Sequence, residues 1–201
     1  MRRYPDWRAT AAGVRAALPL ALFWPALRHT VEARMLLHML EFVALLASGW
    51  ALQGIALRHP ALQRLAGLLS LLDWRGWCGA VLTSVVAACW MLPTLLDLAL
   101  LNPALAAAKC ASWWLTGWVL AGSLRRMDPE VLLFFVGNLA WMVCSAGMLY
   151  LDAPARLCVN YLQDDQQQTG MALIATALVL GGLAWRQMLR PVAALASTAA
   201  R

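Results

Sequence analysis

Between Pro129 and Leu151 the sequence carries one charged residue, Glu130, and between Gly170 and Trp185 it carries none. Runs of this kind constrain the fold more than any other feature. About 20 apolar residues of helix cross the hydrocarbon core of a bilayer, where every backbone polar group must find its partner inside the chain. Composition agrees: 62% of the residues are hydrophobic and 13% are charged, against about 45–50% and about 25% in soluble domains. An ordinary globular protein is excluded, and the fold class expected is an all-α polytopic membrane bundle.

Six helices fit the pattern. The first apolar run covers residues 9–27 and is interrupted by Arg15, Pro19 and Pro25. Its basic leader of Arg2, Arg3 and Arg8 resembles a signal peptide, but the prolines and the poor cleavage site at residues 30–33 favour a retained helix. The second run spans residues 31–57. The third spans residues 77–96, with Pro93 near its end. Asn102 and Pro103 supply the cap and first residue of a fourth helix reaching Leu124. The fifth follows Asp128 and Pro129 to Leu151, and the sixth covers residues 170–189. Between the second and third runs, Leu65, Leu68, Leu69 and Leu72 recur at helical spacing among Arg58, Arg64 and Arg75, predicting a helix lying on the membrane surface over residues 62–74. One transmembrane domain over residues 1–192 and a short mobile tail over 193–201 complete the organisation.

The net charge of +6 could suggest nucleic acid, but the cations are scattered between apolar runs and read as topology. Eleven arginines fall on one side (Arg2, Arg3, Arg8, Arg58, Arg64, Arg75, Arg125, Arg126, Arg186, Arg190 and Arg201). Arg28, Arg34 and Arg156 fall on the other. With six spans, both termini are cytoplasmic, and the loops at residues 28–34, 93–103 and 152–169 face outward. Trp24, Trp74, Trp77, Trp90 and Trp185 sit near span ends, as interfacial anchors do. The five cysteines show no paired spacing and read as free thiols.

An ionisable group inside a span costs about 2.5–3.5 kcal/mol on insertion scales, so each marks a candidate site. Arg34, His38 and Glu41 recur at i, i+4 and i+7 on the second helix, with Met35 and Met39 on the adjacent strip. Lys109 and Cys110 enter the fourth helix from the same outer surface. Met91 and Asp97 lie at the outer end of the third run, and Asp165 and Gln166 just outside the sixth. Two chemistries are open to this outer cluster. Met35, His38, Met39, Met91 and Cys110 form a soft ligand set suited to cuprous copper. Alternatively, Glu41 and Lys109 form an ion pair, supported by Arg34 and His38, that ties the second helix to the fourth. No nucleophile, base and oxyanion donors converge as in an enzyme, no histidine pair suits haem, and no repeat of broken helices suggests a transporter.

Several stretches resemble the CtaG family, multi-span bacterial proteins associated with cytochrome c oxidase assembly. The segment from Arg34 to Leu40 is similar to the family's His-Met-x-x-His-Met-Leu sequence. Trp90-Met91-Leu92-Pro93, Asp97 and Asn102-Pro103-Ala104-Leu105, leading to Ser112 and Thr116-Gly117, are similar to its third and fourth spans. Asp165-Gln166-Gln167, with Gly170 and Met171, resembles its signature before the last helix. The resemblance covers residues 30–190 and implies a metallochaperone-like assembly factor that inserts copper at the outer side of the bacterial plasma membrane, with a respiratory oxidase as partner. In that role Asp165 and Gln166 would shape the outer mouth. The chain also departs from the family: Arg34, Met91, Ala106, Lys109 and Cys110 stand where the family has histidines or a Glu-His pair. Glu41 replaces an apolar residue and matches the new charge of Lys109. The departures imply the alternative of a metal-free accessory subunit, docking through its helix faces and Trp113, Trp114 and Trp118.

Overall fold

A computed structural model describes residues 13, 16–17, 21, 24–56, 58–158 and 160–199. More than half of the expected first helix lies outside them. The regular structure of the described residues is all helical, with no strand among them. In chain order the helices are α1 (Pro25–Glu32), α2 (Met35–Ala56), α3 (Pro60–Leu72), α4 (Trp77–Trp90, after a 3-10 turn at Trp74–Gly76), α5 (Pro93–Leu101), α6 (Pro103–Ser123), α7 (Pro129–Asp152) and α8 (Gln163–Ala199).

Proline places many of these starts. Pro25, Pro60, Pro93, Pro103 and Pro129 each occupy the beginning of a helix, where the missing N–H breaks no intrahelical bond and the fixed φ is already helical. Asn102 caps α6 as the sequence predicts, its side-chain oxygen accepting from the Ala104 N–H at 2.9 Å. Asp73 does the equivalent for α4 by accepting from the Cys78 N–H at 3.1 Å.

Three helices are long and apolar enough to cross a membrane, within Met35–Ile55, Pro129–Asp152 and Gln163–Leu189. The segment Trp74–Leu101 makes a fourth if its two halves count as one span bent by 74°. The third run predicted from sequence is thus two helices: the chain leaves the helix after Trp90 and restarts at Pro93, so residues 93–101 form α5 where a loop was expected. The sixth helix begins seven residues earlier than expected and runs on to Ala199, with helical backbone in the segment expected as a tail. α6 is 21 residues long but falls outside the apolar set because it is the enclosed helix of the group. Lys109, Cys110, Trp113, Thr116, Gly117 and Trp118 are all buried along it.

α2 and α6 run parallel and touch backbone to backbone. A β-carbon added at Gly117 would overlap the carbonyl oxygen of Leu46, and one at Gly49 would overlap that of Trp114. Small residues permit this approach, and in lipid the resulting van der Waals contact is a main source of helix association. Gly79 packs on Ser123 and Trp90 Nε1 donates to Ser112 Oγ at 2.9 Å, so α4 runs antiparallel to α6. Gly147 and Gly170 bring α7 and α8 together, also antiparallel. The principal apolar core lies between α2, α4, α5 and α6, where Met35, Met39, Phe42, Leu45, Trp90, Leu96, Cys110 and Trp113 cluster with Tyr150 and Tyr161.

The tryptophans divide into two groups. Trp24, Trp74 and Trp185 are exposed, as anchors should be, but Trp90 is buried and hydrogen-bonded within the chain. Trp113 stacks on Phe42 with ring centroids 4.9 Å apart, and Trp118 is buried as well. These two fill the chain's own interior and offer no docking surface, because the Gly49–Gly117 approach draws α2 over them.

Candidate functional site

Lys109 is fully buried, two turns into α6. Its ammonium donates to Glu32 Oε1 at 2.8 Å, to His38 Nε2 at 2.7 Å and to Glu41 Oε2 at 3.1 Å. An ammonium has three N–H bonds, and all three are used. Glu32, His38 and Glu41 are themselves buried, and one ligand-type atom from each lies within 4.8 Å of the others. The cation therefore sits at the centre of a triangle of acceptors.

The surrounding bonds fix the protons. The Tyr161 hydroxyl donates to the Glu32 carbonyl oxygen at 3.1 Å, and His38 Nδ1 lies 2.7 Å from the same hydroxyl. A carbonyl only accepts, so the single phenolic proton points to Glu32 and His38 Nδ1–H donates to Tyr161. Nε2 is left with its lone pair toward Lys109, and the imidazole is neutral. On the other side Arg28 Nε donates to Glu32 Oε2 at 2.8 Å, while Arg28 Nη2 donates to the Ala99 carbonyl at 2.7 Å. Two carboxylates thus face two cations around a neutral histidine. That balance is what allows so many ionisable groups to be buried together. Burial also raises the Tyr161 hydroxyl, which lies in the loop before α8, well above the usual phenol range.

The predicted Glu41–Lys109 pair is present, with His38 beside it, but Arg34 is not. Arg34 is exposed because the helix predicted across residues 31–57 breaks at Ala33 and Arg34, taking Arg34 off the line of His38 and Glu41. The same break folds α1 back so that Glu32 and Arg28 take the places assigned to Arg34. Sequence reading missed Glu32, Arg28 and Tyr161. The i, i+4 spacing of Arg28 and Glu32 was an available signal for two of them. Tyr161 comes from a loop 123 residues beyond His38 and left none.

Within the soft ligand set, His38 belongs to the cluster and Cys110 touches it. Met35 and Met39 pack in the apolar core. The Met91 residue takes part through its backbone carbonyl, which accepts from the Tyr150 hydroxyl at 3.3 Å. Cys110 Sγ meets the cluster at Glu41 Oε1, 3.7 Å away. The donors that do converge are two carboxylates and an imidazole around a cation, and this set does not fit cuprous copper, which prefers sulfur. Asp97 accepts from Asn160 Nδ2 at 3.1 Å. Gln166 is buried, accepting from the Leu157 N–H at 2.8 Å and donating to the Tyr150 carbonyl at 3.0 Å. It closes the α7–α8 loop. Asp165, beside it, accepts from Thr169 Oγ1 through its carbonyl at 2.7 Å.

Fold and site together define an all-helical chain of membrane-spanning character with a charge-balanced cluster buried between α1, α2 and α6. No family model, no curated protein and no solved structure matches it.

Proposed function

We propose that this chain is a CtaG-like, six-span protein of the bacterial plasma membrane, with both termini cytoplasmic. Its role is that of a metal-free accessory in the biogenesis of a copper-containing respiratory oxidase, and it is not an enzyme. The observation that supports the metal-free reading is the position of Lys109 Nζ, within 2.7–3.1 Å of three acceptors. A fixed ammonium there repels a metal ion at close range and supplies the charge that the carboxylates need. The companion reading, copper insertion, requires exposed and exchangeable sulfur and imidazole ligands, whereas Met35, His38, Met39 and Cys110 are buried.

Gentle solubilisation of membranes carrying a tagged copy tests the role. Stoichiometric recovery of a haem–copper oxidase, with no cuprous copper retained by the purified chain, is the expected result. Migration of the chain alone overturns the accessory role. One cuprous ion per chain, lost in His38→Ala, overturns the metal-free reading in favour of copper insertion.

A further inference from the structure

We propose that α3 and the arginines at its end of the bundle form a docking surface for anionic phospholipid headgroups, with the leucines of α3 lodged in the acyl layer beneath them. The inference goes beyond the accessory role and rests only on the membrane-spanning character of the chain.

The protein's own packing holds α3 on one side. Its inner face, with Ala66, Leu69 and Ser70, looks across a narrow cleft toward Gln53 of α2 and Trp118 and Gly122 of α6. Its C-terminal end is tied down by Asp73, which pairs with Arg126 and accepts from the Cys78 N–H. The outer face meets no protein. Leu68, Leu71 and Leu72 are 61%, 81% and 77% exposed, and Trp74, just past the helix, is 71% exposed. A helix with such a face lies in the boundary between headgroups and acyl chains, where the tryptophan is an anchor.

The leucines alone would accept any lipid, and the charge makes the surface selective. Arg64 precedes Leu68 by four residues and Leu71 by seven, so it shares their face, and its long side chain can rise from the apolar stripe to the phosphates. Arg58 follows α2 and Arg125 follows α6. Because α2 and α6 run parallel, both emerge at the same end as α3. All three arginines are exposed, and among the described residues none is paired with a carboxylate. The acids nearby are already engaged: Asp73 holds Arg126 and Asp128 holds Arg75, which leaves the exposed Glu130. The Arg75 guanidinium lies 5.7 Å from the centroid of the Trp74 ring, at the level of the anchor. An anionic leaflet supplies the negative charge that this surface lacks, whereas zwitterionic headgroups carry no net charge. A soluble polyanion would leave the leucines in water.

Hydrogen exchange of the full chain tests the surface. Wild type is reconstituted in nanodiscs of phosphatidylcholine alone and of phosphatidylcholine with phosphatidylglycerol, and exchange is read by mass spectrometry on peptides covering residues 60–72. Each arginine near an anionic leaflet strengthens attachment roughly fivefold, so α3 should exchange about tenfold or more slowly in the anionic discs. High salt should remove the gain. Arg58→Gln/Arg64→Gln/Arg125→Gln should abolish it while α2 and α6 exchange as in wild type. This variant experiences the same surface pH as wild type, so the comparison isolates the arginines. Leu68→Ser/Leu71→Ser should speed exchange of α3 in both lipids. Equal protection of wild type in the two discs overturns the proposal, as does a gain that survives high salt or the triple variant. Inorganic phosphate that protects α3 in neutral discs overturns it in favour of a free-phosphate site, and protection indifferent to the serine substitutions overturns the seating of the leucines. Should the triple variant fail to reconstitute, Arg64→Gln alone and the salt titration of wild type decide, with a partial loss expected for the former and an unchanged gain in both refuting the surface.

Discussion

Replacing Lys109 by Met keeps the length and most of the volume of the side chain while deleting its charge and three donors. The oxygens of Glu32 and Glu41 that it bridges lie within 4.8 Å of each other. At an effective dielectric of about 20, two unit charges at that distance repel by about 3.5 kcal/mol. This agrees with the ~3–5 kcal/mol that removal of one partner costs in buried ion pairs. For a chain of this length the loss corresponds to a fall in thermal midpoint of about 6–20 °C. Neutralising one carboxylate as well, in Lys109→Met/Glu41→Gln, leaves Arg28 facing Glu32 and should recover about half of the loss. Arg75→Ala is the control. It removes the exposed pair with Asp128, and its cost should stay under about 1 kcal/mol. Thermal unfolding in one detergent, followed by tryptophan fluorescence at metal-free conditions, compares the four proteins. The charge-balance argument fails if Lys109→Met is no less stable than Arg75→Ala, or if the double variant is no more stable than the single.

Three further outcomes are expected. Tyr161→Phe removes the hydroxyl between His38 and the Glu32 carbonyl and should cost about 1–3 kcal/mol; nitrogen NMR of labelled histidine should show His38 losing its fixed Nδ1–H tautomer, and an unchanged spectrum would refute the bonding scheme. Gly117→Val should separate α2 from α6 and cost ~3 kcal/mol or more, whereas Gly137→Ala, with open space around it, should stay within about 0.5 kcal/mol in the same unfolding assay. Burial, reinforced by the Asp97 carboxylate, pushes the Cys158 thiol up to about 12. At pH 8 almost no thiolate forms there, and maleimide should modify the exposed Cys78 and Cys89 while sparing Cys158 until the protein is denatured, as read by mass spectrometry.

Much of the architecture was legible because lipid leaves few choices. α6 and α7 begin at the Asn-Pro and Asp-Pro pairs that the sequence advertises, and the surface-type helix of residues 62–74 appears as α3. The errors lie where no local signal exists. Glu32, Ala33, Arg34 and Met35 are all compatible with helix, so a continuous turn across them was the natural reading. The break is made by tertiary bonds, the Arg28–Ala99 contact and the anchoring of Glu32 on Lys109 and Tyr161. In the third run Pro93 was visible, but a proline alone distinguishes neither a kinked helix nor a restart; the 74° bend comes from α5 folding onto α6. At the site, helical periodicity found His38 and Glu41, since spacing on one face is a local property, and Lys109 stood out as an ionisable group inside an apolar run. Periodicity could not find groups delivered by a hinge or by a distant loop.

The wide separation of the cluster's members along the chain gives it a history during synthesis. Lys109 lies 77 residues after Glu32 and 68 after Glu41. At roughly 5–20 residues per second, both carboxylates leave the ribosome about 3–15 seconds before Lys109 exists. During that interval α2 must enter the bilayer with Glu41 still lacking its lysine, at a few kcal/mol of resistance, while Glu32 at the end of α1 has Arg28 alone as counter-charge. α2 is therefore expected to settle fully only when α6 arrives alongside it. The parallel glycine contact and the ammonium then engage together, and delivery of one lysine makes the insertion of an earlier helix irreversible.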